Sequence, residues 1–154
     1  MQTVGIISGP HKLLRPEALD TLSGADLIIH AGDIGSIEVI DQLRELAPVE
    51  AIKGNIDKAP WAAVFPNDTT VNFGGKQIYV LHNLNDLDID PVAAGFDIVI
   101  SGHSHAAKIN RNQSVLYINP GSAGPRRFKL PITVALLKIN ACKLDAQIKQ
   151  IVLD

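Results

Sequence analysis

Cysteine is nearly absent: Cys142 is the only one in 154 residues. A single thiol excludes an intramolecular disulfide and fits a reducing, cytoplasmic setting. It lies in Asn140-Ala141-Cys142-Lys143, which reads as a hairpin turn with no histidine nearby in sequence to activate a nucleophile. Blocks of like charge are missing too. Charged residues make up 19% and the formal net charge is −2, so there is no basic stripe for a nucleic acid and no polybasic patch for a membrane. No apolar run approaches the roughly 18 residues that cross a bilayer. Met1-Gln2-Thr3-Val4-Gly5-Ile6 has neither the basic n-region nor the small-residue cleavage site of a signal peptide. Repeats, low-complexity tracts and linkers are also absent, which reads residues 1–154 as one domain.

What is present is a globular composition, 46% hydrophobic, in a chain long enough to bury a real core. Thr3 to Ile7 predicts a first strand. Pro16-Glu17 opens a short helix, since proline is tolerated at the first helical position. Asp26 to His30 is a second strand, Ser36 N-caps a helix carrying Val39, Ile40, Leu43 and Leu46 at helical spacing, and Pro48 to Lys53 is a third strand. This alternation is that of a parallel α/β sheet. The second half differs. Gly74-Gly75-Lys76 joins two strands in a hairpin, a short helix is expected near Pro91 to Ala94, and Phe96 to Ser101 is a buried strand. Lys108–Asn110 and Val115–Ile118 pair around Arg111-Asn112-Gln113, and Ile132–Ile139 pairs with Leu144–Val152. One domain with two sheets follows.

Polar groups collect where these strands end. In order they are His11, Asp33, Asn55, His82, His103 and His105, which include four of the five histidines; His30 lies one step from Asp33. Ligand groups in α/β sheets gather at the carboxyl ends of strands. Imidazoles with a carboxylate and a carboxamide oxygen suit a divalent transition metal such as Mn, Fe, Co, Ni or Zn, and suit the oxygen-seeking Ca and Mg poorly.

Gly32-Asp33, Gly54-Asn55-Ile56-Asp57, His82 and Gly102-His103-Ser104-His105 stand in an order and spacing that resembles the calcineurin-like metallophosphoesterases, in particular their small bacterial and archaeal phosphodiesterases. Leu13 to Glu17 and Asn119 to Arg126 are similar to that group as well, and the likeness runs from Ile6 to about Leu137. The resemblance implies an α/β fold of two mixed β-sheets packed as a sandwich, with helices on the outer faces. It implies a metal centre of one or two ions in which Asp33 bridges, His11 and His105 serve the first position, and Asn55, His82 and His103 serve the second. Asp33, Asn55 and His82 are then the catalytic set. Two ions roughly 3.5–4 Å apart activate water and hold phosphoryl oxygens during in-line attack. The expected activity is metal-dependent hydrolysis of a small phosphodiester, and self-association is left open.

Three departures qualify this expectation. The family's first motif has an aspartate two residues before its histidine; here Ser8-Gly9-Pro10-His11-Lys12 puts Gly9 there and adds a cation at Lys12. The first metal position is therefore expected to bind weakly or stay empty. Ile56 stands where many members have a proton-donating histidine, and Asn83-Leu84 replaces Gly-His. The alternative reading is a degenerate phosphoesterase scaffold that binds a partner or ligand with little or no catalysis. His30 is read as structural, donating to backbone; Trp61 as a packing anchor; and Arg126 and Arg127 as solvated loop charges. Asp57 either fixes the Asn55 loop or caps a turn.

Overall fold

Alternation along the first strand sets the layers. In β1 (Gln2–Ile7), Val4 and Ile6 point into one apolar cluster and Ile7 into another, the two-residue period of a strand buried on both faces. The protein is described here from a computed structural model over residues 1–9, 14–124, 131–141 and 143–151. Within those residues, β1 is followed by α1 (Pro16–Leu22), β2 (Leu27–His30), α2 (Ile37–Arg44) and β3 (Val49–Ala51). Then come β4 (Asp68–Phe73), β5 (Lys76–Leu81), β6 (Ile98–Ile100), β7 (Lys108–Asn112), β8 (Val115–Asn119), β9 (Thr133–Asn140) and β10 (Lys143–Gln150).

Two five-stranded sheets result, ordered β10-β9-β1-β2-β3 and β4-β5-β6-β8-β7. Both are mixed. β1, β2 and β3 run parallel, with β9 and β10 added antiparallel. β5, β6 and β8 run parallel, flanked by antiparallel β4 and β7. Between the sheets lies a core of Val4, Ile6, Leu27, Ile29, Leu137 and Ile139 from the first against Val71, Ile78, Val80, Ile98, Ile100 and Ile118 from the second. Each such side chain contributes about 1.5–3 kcal/mol when fully buried.

The second cluster packs α1 and α2 on the outer face of the first sheet, through Ala18, Leu22, Val39, Ile40 and Leu43 against Ile7, Ile28 and Val134. Pro16 occupies the first turn of α1, and Ser36 in extended backbone is the N-cap of α2, as their residue types predict.

The expected helix near Pro91 to Ala94 does not form. Asp90 accepts the amides of Val92 and Ala93 through its side chain, and Gly95 at φ +84° turns the chain out after one turn. The outer face of the second sheet, where Tyr79, Leu81, Val99, Val115 and Tyr117 cluster with Leu87, therefore carries no α-helix among the described residues. The expected sandwich of two mixed sheets with outer helices is present, and its two α-helices both lie on the first sheet. Two 3-10 turns, Pro60–Val64 and Leu84–Asp86, have too few residues to leave a periodic signal. β7 extends to Asn112, so the hairpin turns on Gln113 at φ +58° rather than on Arg111–Gln113. Cys142, Val152 and the Arg126–Arg127 pair lie outside the described residues.

Candidate metal centre

The carboxyl ends of the parallel strands in both sheets open onto one edge of the sandwich. Asp33 follows β2, Asn55 follows β3, His82 follows β5, and His103 and His105 follow β6. His11 lies outside the described residues. The loops bearing these groups are tied into a ring. Ser8 Oγ donates to the Gly32 carbonyl (3.1 Å), joining the ends of β1 and β2. The Gly102 amide donates to the His82 carbonyl (2.9 Å), joining the ends of β5 and β6. Asn119 Nδ2 donates to the Gly102 carbonyl (2.9 Å) and to Ser104 Oγ (3.1 Å), holding the His103 loop from the end of β8. The Ala123 amide donates to the Ser8 carbonyl (2.9 Å) and closes the ring.

Asp57 makes the link between β2 and β3. Buried at 5% exposure, its carboxylate accepts amide N–H from Ile34 (2.8 Å) and Gly35 (2.9 Å) in one loop and Gly54 (2.8 Å) in the other. Of the two readings the sequence allows, it fixes the Asn55 loop, and it holds the Asp33 loop as well. Gly54 makes the approach possible, because a Cβ there would overlap the Asp33 amide and carboxylate. Nothing in the sequence beyond the Gly-Asn-x-Asp pattern marks this three-donor clamp.

The two sheets meet at His82, which is 7% exposed. Its Nδ1 lies 2.8 Å from the Ala31 carbonyl. A carbonyl only accepts, so Nδ1 carries the proton. In the neutral ring Nε2 then offers a lone pair, and it sits 3.3 Å from Asp33 Oδ2 without a hydrogen bond. Two electron-rich atoms facing each other in a buried place call for a positive charge between them. Without an ion, the proton takes that part. Burial pulls the His82 pKa down, but Asp33 and the Ala31 carbonyl outweigh it and hold it above the usual histidine value. Burial likewise raises Asp33, and His82 with the Ile56 amide more than offsets it, so the carboxyl stays below its ordinary value.

This lone-pair geometry and the N/O donor set fit a borderline divalent metal. The other donors surround the pair without closing on it. The His103 ring stands edge-on to His82 at 5.2 Å between centroids, Asn55 is exposed at the rim, and His105 adds its field to Asp33. Among the described residues, no three His, Cys, Asp or Glu side chains converge into a ready-made cage. The backbone is strained at three of these positions: Asp33, His103 and His105 have φ of +59°, +68° and +62°. Left-handed backbone at non-glycine residues concentrates at functional sites.

Where the resemblance expects the first metal position, Gly9 has φ +78°, and a Cβ there would come within 2.6 Å of Ser122 Oγ. Ser122 fills the space an aspartate stem would need. Ile56, expected to stand in place of a proton-donating histidine, is 48% exposed. His30 is structural in the opposite sense from that expected: its Nδ1 accepts the Gly32 N–H (3.1 Å) rather than donating. It is fully buried, and burial lowers its pKa to about 4 against the pull of Asp57 and Asp33.

Two outcomes follow. Asp57→Asn leaves a single side-chain oxygen for three N–H donors and turns an NH₂ toward amides. Urea unfolding should show a loss on the order of 2 kcal/mol, with metal affinity reduced in step. For His30, the unfolded chain takes a proton below pH 6.5 that the folded ring refuses until about pH 4. Stability is therefore full above pH 6.5 and falls through that window by on the order of 3 kcal/mol. His30→Asn keeps an acceptor for the Gly32 amide and cannot titrate, so its stability profile should lose this part of the acid slope.

Comparison with known proteins agrees with the architecture. The profile of the Calcineurin-like phosphoesterase superfamily domain matches residues 2–141. A probable metallophosphoesterase of Methanothermobacter thermautotrophicus is 33% identical over 156 residues, covering 94% of this chain and 90% of that one. Among solved structures, a novel archaeal phosphodiesterase superposes with a TM-score of 0.79 at 22% identity, covering 96% of this chain and 100% of that one. Chaetomium thermophilum Vps29 superposes at 0.83 with 17% identity, covering 97% and 89%. No helix of the described residues is long and apolar enough to cross a membrane. With that match spanning residues 2–141 and a relative 33% identical over 94% of its length, the chain belongs to the calcineurin-like phosphoesterase superfamily.

Proposed function

We propose that the chain is a single-domain, cytoplasmic, metal-dependent phosphodiesterase working from one principal metal position, the one at the Asp33–His82 pair. The observation that carries this reading is the buried pair in which His82 Nε2 faces Asp33 Oδ2 at 3.3 Å with its proton fixed on Nδ1. Asp33, His82, His103 and the Asn55 carboxamide would hold the ion, drawn from Mn, Fe, Co, Ni and Zn. When bound, such an ion polarises a phosphoryl oxygen and acidifies water.

The chain's own residues do the rest. The Ala31 carbonyl fixes the ring and tautomer of His82, the role outer-shell partners play for metal-ligating imidazoles. Asn119 positions the loop that aims His103. Ile56 offers no proton to a departing alkoxide, so esters with acidic leaving groups are favoured. The family resemblance and the archaeal phosphodiesterase neighbour support a diester rather than a monoester substrate. His11 and His105 belong to a first position that lacks a carboxylate at Gly9, where an ion would be held weakly.

A scaffold without catalysis is the second reading, favoured by one observation: Ser122 fills the place of the aspartate stem beside Gly9. Elemental analysis of protein loaded with Mn²⁺ or Ni²⁺, with turnover of bis(p-nitrophenyl) phosphate, tests both. About one tightly held ion per chain is expected, lost in His82→Ala together with turnover. Absence of uptake and turnover with every ion would overturn the enzyme reading. Gain of activity only in the Gly9→Asp/Ser122→Gly double variant would establish the scaffold reading.

A further inference from the structure

Among the described residues the two sheets end in the edge strands β10, β3, β4 and β7, which differ in length. β3 has three residues, β7 five and β4 six, whereas β10 has eight, all in unbroken register with β9. A long edge without a bulge is a template for another strand. One bond tells which of its backbone groups face outward: the Ile151 amide donates to the Ile132 carbonyl (2.7 Å). Hydrogen-bonded pairs recur at every second residue of an antiparallel ladder. Lys143, Asp145, Gln147 and Lys149 therefore bond to β9, while Leu144, Ala146, Ile148 and Gln150 direct their N–H and C=O groups away from the sheet. Arg111 agrees, its Nη2 reaching the Leu144 carbonyl from β7 at 3.5 Å.

Leu144, Ala146 and Ile148 turn their side chains inward, against the core between the sheets. Beside them runs a groove of about 280 Å³ lined by Ile109, Leu116, Leu144 and Ala146, with Asn110, Arg111 and Asp145 as its polar members. The outer face of β10 carries Lys143, Asp145 and Lys149, and Lys138 of β9 lies opposite Asp145. Edge lysines discourage pairing by setting like charges face to face. On β10 the outcome depends on register. A second copy laid antiparallel about Ala146 places Lys143 against the partner's Lys149, and about Asp145 it places Asp145 against the partner's Asp145. Moving the centre to Ile148 shortens the seam. About Gln147, Asp145 faces the partner's Lys149 and Lys149 faces the partner's Asp145. Lys143 is then only diagonal to the partner's Lys149, at the longer cross-strand spacing. The outward backbone groups meet in that same register, Ala146 with the partner's Ile148 and Leu144 with the partner's Gln150. The partner's Ile148 comes to lie beside Ala146, at the groove.

We propose that β10 is a self-association edge, where two copies of the chain pair antiparallel about a two-fold axis at Gln147 and join their first sheets into one. Charge complementarity selects a second copy as the occupant, because a two-fold seam satisfies both Asp145–Lys149 contacts at once. β10 runs parallel to β1, so the strand-end edges of the two copies point to opposite ends of the dimer and neither blocks the other.

Sedimentation equilibrium on the natural protein, up to about 300 μM chain, should show a reversible rise in mass from 16.5 kDa toward twice that. Asp145→Lys and Lys149→Asp should each weaken association at least about tenfold, and the two together should restore it to within about threefold. Amide hydrogen exchange reads the same seam without a substitution. The Ala146 and Ile148 amides should exchange quickly at about 10 μM and at least about fivefold more slowly at about 300 μM, while those of Asp145 and Gln147 are slow at both. A chain that stays monomeric at every concentration, or edge amides whose rates ignore concentration, overturns the proposal. So does a dimer indifferent to both charge substitutions, or one that the double variant fails to restore.

Discussion

The hydrogen bond from His82 to the Ala31 carbonyl is the tie on which the site depends, because it crosses from one sheet to the other. Asp33 and His82 are 49 residues apart and ride on strands that share no ladder. Only the face-to-face packing of the sheets over the core of Ile6, Ile29, Ile78 and Ile98 brings their ends together. The bond then sets which nitrogen of His82 is bare, and so decides that the pair presents a place for positive charge. Core packing sets the distance; one carbonyl sets the chemistry.

Around that tie the loops support one another in a ring, and most links use backbone atoms on at least one side. Such an arrangement is insensitive to many side-chain choices and sensitive to a few. Asp57, Asn119 and Ser8 carry the side-chain part of it, and none of them is a candidate ligand. The ring holds each ligand loop, while the cage itself remains open: His103 and Asn55 are exposed. An ion would therefore meet a firm Asp33–His82 half and a second half still free to adjust.

The parts of the fold that were legible in the sequence were those carried by periodicity and punctuation. Ile28 and Ile29 fill both faces of a buried strand, Pro16 and Ser36 mark helix starts, and Gly74-Gly75 marks a hairpin. Where a short helix is expected near Pro91 to Ala94, the Asp90 side chain and Gly95 close a single turn, a competition among three residues that periodicity does not register. The positions of Asp33, Asn55, His82 and the Gly102 loop at strand ends were legible as well, since each follows an apolar run. The direction of the His30 hydrogen bond, the triple clamp of Asp57 and the filling of the Gly9 space by Ser122 were not. Each depends on residues 22 to 113 apart in sequence, or on a tautomer, and neither is written in local pattern.

Three residues of the site, Asp33, His103 and His105, stand in backbone geometry that glycine would occupy with less strain. At these places the demands of folding and of chemistry diverge. Substituting glycine would ease the chain and erase the donors, so a more stable protein is available at each position only as a less capable one. Selection for thermal robustness alone would therefore wear this site away first, while leaving the sandwich that carries it intact.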